Sequence, residues 1–80
     1  MFYMKAMIEK AEKDYSSALI ELRSKLNISQ TELAARMNVS FQTVNRWENN
    51  RTMPIKTARV KIEKMCIDNG IVIKEVINNA

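Results

Sequence analysis

Histidine is absent from this 80-residue chain, and with it go the commonest general base and the commonest metal ligand. Cysteine occurs once, at Cys66, which excludes an intramolecular disulfide framework and any multi-cysteine metal site. A lone thiol without an imidazole is a poor nucleophile, so Cys66 is expected to be a small core hydrophobe. Neither catalysis nor a cofactor is expected. With one Gly and one Pro, the chain has few obligatory breaks and should be almost entirely helical. No apolar run approaches the ~18 residues of a membrane span. The stretch "MFYMKAMIEK" lacks the apolar core and small-residue cleavage site of a signal peptide, so a cytoplasmic protein without a membrane partner is the expectation.

What is present is positive charge, unevenly placed. The net charge is +4. Residues 16–66 hold nine Lys or Arg against four Glu, while residues 1–15 balance to zero and residues 67–80 carry one net negative charge. A basic middle with neutral ends points to a polyanionic partner, although +5 alone is a weak signal. The length allows one domain, or one domain with a tail, and a stability of roughly 4–12 kcal/mol.

Helical spacing runs through the chain. Tyr3, Met7 and Ala11 lie four apart, then Ala18, Leu19, Leu22 and Leu26 repeat at three and four, with a break expected near residues 13–16, where Asp14 or Ser16 can cap. The first twelve residues then form an amphipathic helical extension that packs on the domain or joins two copies. Asn27 can close the first helix in a left-handed conformation. Ser29-Gln30-Thr31-Glu32 spells a capping box, in which Ser29 accepts from the residue 32 N–H and Glu32 reaches back to residue 29. That box starts a helix of about eight residues with Leu33, Ala34 and Met37 inward. Asn38-Val39-Ser40 ends this helix and caps the next, so two short helices cross steeply.

The third helix, about Phe41 to Asn49, turns Val44 and Trp47 inward and Gln42, Asn45, Arg46 and Asn49 outward as an i, i+3, i+4, i+7 stripe. Pro54 suits the first turn of a fourth helix, with Thr52 or Met53 as its cap and Ala58, Ile62, Met65 and Cys66 on its buried face. Asp68-Asn69-Gly70 stops it. The tail "IVIKEVINNA" fits a short helix or a strand. Helix is favoured, because a strand has no partner in a helical monomer and would imply an intermolecular sheet.

The stretch "LRSKLNISQTELAARMNVSFQTVNRWENNRTMP" resembles the Cro/repressor-type (XRE-like) helix-turn-helix family of bacterial and phage regulators. The likeness lies in Leu22-Arg23, Ser29-Gln30, Leu33-Ala34, Val39-Ser40, Val44, Trp47-Glu48-Asn49 and Pro54, and spans about residues 17–66. Asn27, Asn38 and Asn50 stand where the family usually has Gly, and Ile55 where it usually has a capping Ser. The resemblance implies an all-α, compact four- to five-helix bundle of the lambda-repressor-like type. Its parts are an N-terminal helical extension (1–15), a DNA-binding domain (16–67) and a C-terminal tail (68–80).

It also implies a site. Ser40, Phe41, Gln42, Thr43, Asn45 and Arg46 would meet base edges in the major groove, and Arg23, Gln30, Asn49, Arg51, Lys56 and Arg59 would hold phosphates. The chemistry agrees. A Gln or Asn amide pairs bidentately with adenine, and an Arg fork with guanine, while Phe41 can press on a thymine methyl or pack partly on the domain. Against this stands a merely solvated helix face, for which Lys and Glu would serve as well. For Trp47 the core reading outweighs base stacking, and the six Met residues read as gap-fillers. The implied function is sequence-specific transcriptional regulation on double-stranded DNA, as a homodimer because one short helix reads too few base pairs. The alternative is an antitoxin or accessory module that holds a partner protein on the same scaffold. A stoichiometric protein complex unaffected by Arg46→Ala would support it.

Overall fold

The computed structural model describes residues 9–79. Its elements in chain order are β1 (Glu9–Lys13), α1 (Tyr15–Leu26), α2 (Gln30–Met37), α3 (Phe41–Glu48), α4 (Lys56–Asp68) and β2 (Glu75–Asn79). Four helices build the body around one cluster of Leu19, Leu22, Leu33, Val44, Trp47 and Ile62 with their neighbours. Cys66 is buried among them, and burial pushes its thiol pKa up, as suits an inert core group.

Each helix end follows from its local sequence. Asp14 caps α1 by accepting from the Ser17 N–H at 3.0 Å. Ser29 and Ser40 do the same for α2 and α3 at 3.0 and 3.1 Å. The capping box at α2 is half made: the Glu32 carboxylate turns to Arg36 at 3.0 Å, an i, i+4 pair along the exposed face. At the C-terminal ends Asn27, Asn38 and Asn50 all sit in the left-handed region, with φ of 57°, 60° and 57°. Each lets the next N–H bond back to the last turn: Ile28 to Arg23 O, Val39 to Ala34 O and Arg51 to Arg46 O. Asn is the non-Gly residue that tolerates this geometry best. Gly70, with φ of 70°, closes α4 in the same way through Ile71 N–H to Cys66 O.

The fourth helix starts later than its Pro suggests. Pro54 is buried before the helix, and α4 begins at Lys56 with Ile55 at the cap position, where no side chain bonds the first turn. Ile55 already has extended backbone angles and is 70% exposed. Ile55→Ser is therefore expected to raise stability by about 1 kcal/mol, read as a higher urea midpoint at unchanged slope. An unchanged or lower midpoint would show that the Ile55 side chain matters to packing.

Two expectations for the chain ends are corrected. The spacing that predicts a helix through the first twelve residues fails over residues 9–13, which are a strand; its other part, with Tyr3 and Met7, lies outside the described residues. The tail is not a helix either, and β2 finds its partner within the chain. β1 and β2 run antiparallel, with Glu9 opposite Asn79 and Lys13 opposite Glu75, and Asp14 N–H to Lys74 O at 2.7 Å follows at the base. The cause is non-local pairing overriding helix propensity in "EKAEK". The ribbon base is tied to α4 at Glu63, which accepts from Tyr15 Oη at 2.5 Å and Lys13 Nζ at 3.1 Å. Burial, then the bond to Glu63, pushes the Tyr15 phenol up to about 12. The Tyr15 and Lys13 bonds hold Glu63 below the usual carboxylate range.

Candidate nucleic-acid interface

The second and third helices are eight residues each, joined by Asn38, Val39 and Ser40. Neither would persist alone in water, so their inward faces fix where the outward ones point. On α2 these are Leu33, Ala34 and Met37; on α3 they are Val44 and Trp47. The opposite side of α3 carries Gln42, Arg46 and Asn49, all exposed, with Asn45 half-buried beside them. Phe41 is 48% exposed at the start of the helix.

A buried carboxylate organises the base of this face. Glu48 follows Val44 by four positions, so it shares the inward side of α3, and only 4% of its side-chain surface is exposed. Arg23 of α1 grips it through both oxygens, Nε to Oε2 at 2.7 Å and Nη2 to Oε1 at 2.9 Å. Gln30 donates to Oε1 at 2.8 Å. Burial alone would raise the Glu48 pKa, but the bonds from Arg23 and Gln30 outweigh it and hold the carboxyl below its ordinary value. The same bond raises Arg23 further. Ser16 adds a buried bond from Oγ to the Glu48 carbonyl at 2.6 Å.

From this anchor the polarity runs outward. An ionised carboxylate only accepts, so Gln30 must turn its amide nitrogen to Glu48 and its oxygen away. That oxygen accepts from Asn45 Nδ2 at 3.2 Å. The N-terminus of α2 and the middle of α3 are thereby coupled through two amides whose orientation one buried charge dictates.

The residues singled out from the sequence divide accordingly. Gln42 and Arg46 stand on the exposed face, and Arg46 forms no ion pair among the described residues. The Ser40 hydroxyl is engaged as a cap and shares a 2.8 Å bond with Thr43 Oγ1. Asn49 bonds the Asn45 carbonyl at 2.8 Å and closes α3. Arg51 and Lys56 are exposed, in the loop and at the first position of α4. Arg59 donates to the Pro54 carbonyl at 2.8 Å and braces that loop. Arg23 faces inward, committed to Glu48 and, through Nη1, to Ile28 O at 3.3 Å. Sequence reasoning missed Glu48 as a hub and Ser16 as its support; the i, i+4 step from Val44 was the signal for the first.

A groove of about 440 Å³ runs beside α3, lined by Thr43 and Arg46 on one side and by Ile55 and Lys61 on the other. Arg46 and Lys61 make both walls basic. Among the described residues no three His, Cys, Asp or Glu side chains gather as metal ligands. No helix among them is long and apolar enough to cross a membrane. A family model described as "Helix-turn-helix" matches residues 19–62. No curated protein and no solved structure matches the chain.

Proposed function

The chain belongs to the Cro/repressor-type helix-turn-helix family, a DNA-binding family, and from that premise we propose that it is a sequence-specific transcriptional regulator acting in the cytoplasm as a homodimer. In this reading α3 lies in the major groove. Gln42, Asn45 and Arg46 read base edges, and Phe41, Ser40 and Thr43 meet the groove at the start of the helix. Gln30, Asn49, Arg51 and Lys56 grip phosphate on either side, while Arg23 and Arg59 support the frame from behind. The observation that carries the reading is Arg46, exposed and without an ion pair among the described residues, beside exposed Gln42 on a helix whose other face is fixed by packing. A guanidinium and an amide held there match the bidentate edges of guanine and adenine.

The test is selection from a randomised duplex pool at physiological salt. A palindromic or paired-half-site motif is the expected result. Recovery of no motif, with binding that fades as salt rises, would leave only non-specific attraction to the basic middle segment. Against the selected site, Arg46→Ala and Gln42→Ala are each expected to cost about 1–3 kcal/mol per half-site while the thermal midpoint stays near wild type. Loss of binding through unfolding would remove the support for base reading.

A further inference from the structure

Three helices meet in the groove beside α3. Its floor is apolar, formed by buried Met37 of α2, Trp47 of α3 and Ala58 of α4. Met53 and Ile55, in the segment that joins α3 to α4, stand exposed at its rim. Arg46 and Lys61 supply one cation from each wall, and neither forms an ion pair among the described residues. None of the residues lining the groove is acidic. Lys61 Nζ lies 3.5 Å from the carbonyl of Met37, the last residue of α2. A contact that long places the ammonium beside the floor and leaves most of its donor capacity free.

Two cations above an apolar floor, with no carboxylate to neutralise them, favour an anion. The rim narrows the class. A phosphate of a DNA backbone would satisfy the cations but would leave Met53 and Ile55 in water. A carboxylate joined to an apolar body satisfies both halves of the groove. Its oxygens accept from the Arg46 fork and the Lys61 ammonium, and its body covers the floor and the rim. The volume of about 440 Å³ lies within the range of roughly 300–1,000 Å³ usual for small-molecule sites.

We propose that this groove binds a small amphipathic carboxylate, and that the bound carboxylate holds Arg46 away from DNA. The effect on DNA rests on the reading of Arg46 as a base-reading residue; the ligand site itself does not. A guanidinium paired with a carboxylate in the groove is turned from the guanine edge, so ligand and duplex compete for one side chain.

Trp47, the sole tryptophan, lines the groove, so its fluorescence reports occupancy in the full chain. The probe is 4-phenylbutyrate, compared at matched ionic strength with its neutral amide and with inorganic phosphate. The acid is expected to shift Trp47 emission with a dissociation constant of about 1 mM. The amide and the phosphate each lack half of the ligand's chemistry and are expected to bind about tenfold more weakly. Lys61→Gln is expected to weaken the acid about fivefold, and Ile55→Ser about threefold. Both variants change exposed side chains and should keep the fold. No change in emission at about ten times that constant would overturn the proposal, as would an amide that binds as tightly as the acid. So would an affinity unmoved in both variants. Phosphate as tight as the acid would overturn it too, by marking the groove as a place for the DNA backbone. On a duplex that the wild type binds, the acid at ten times its dissociation constant is expected to lower affinity about tenfold. Undiminished duplex binding would overturn the competition. If the wild type binds no duplex, the regulator reading falls, while fluorescence still decides the groove.

Discussion

Trp47→Ala is expected to remove about 3–5 kcal/mol of stability, a large part of the roughly 4–12 kcal/mol that 80 residues supply. Trp47 is 6% exposed and shares the inward face of α3 with the fully buried Val44. These two apolar anchors hold an eight-residue helix against α1 and α2, and a helix of that length has no stability of its own. The indole also walls two grooves, of about 440 and 390 Å³, so its removal would join open spaces rather than leave a dry cavity that neighbours can fill. Trp47→Phe keeps a ring in the same place and should cost less than half as much. Trp47 is the sole tryptophan, so the alanine variant is followed by circular dichroism in urea. A midpoint within about 1 kcal/mol of wild type would show that α3 is held elsewhere. Gln42→Ala is the control: it lies on the same helix, changes an exposed side chain and leaves the midpoint in place.

The same helix shows what could be read from sequence. Its inward Val44 and Trp47, its outward stripe, its Ser40 cap and its left-handed Asn ends were all legible, because each depends on residues within one turn. So were the capping of α1 at Asp14 and the buried face of α4 at Ala58, Ile62 and Cys66. The ribbon was not. "EKAEK" and "EVINN" become strands only through each other, across more than sixty residues, and neither has a local pattern that announces it. A helix over the first twelve residues would leave the tail without β1 to pair with, so the two expectations stand or fall together. Ile55 was legible as a departure from the family, but not the later start of α4 that goes with it. At the site, exposure of Gln42 and Arg46 followed from periodicity, whereas the commitment of Arg23 did not. A cation on a basic domain reads as a phosphate contact until its partner is known, and that partner lies twenty-five residues away.

Glu48→Ala is expected to cost about 3 kcal/mol, because it strands the Arg23 guanidinium without its two strongest bonds. Arg23 is 24% exposed at its side chain, so some hydration returns and the cost stays near the lower end for a broken buried pair. The Ser16 bond goes to the Glu48 backbone and survives the change, which leaves the carboxylate as the cause. Replacing both partners with apolar residues of similar size, as Arg23→Met with Glu48→Met, is expected to recover much of the loss. A double variant as unstable as Glu48→Ala would mean that the pair is worth more than the burial of its own bulk. Acid gives an independent measure of the same carboxylate. The folded Glu48 pKa lies below its ordinary value of 4.5, so its stabilisation is complete above that value and is lost as pH falls through the lower folded one. Glu63 is lowered too, and it adds to the acid slope of wild type. Comparison with Glu48→Gln cancels that shared slope. The stability gap between the two proteins should be widest near neutral pH and close below 4.5; a gap independent of pH would assign the loss to packing instead of charge. Because Gln30 takes its orientation from Glu48 and Asn45 donates to Gln30, the Gln variant also frees both amides to turn. Under conditions where it remains folded, it should bind a selected duplex less selectively at the base proposed to be read by Asn45.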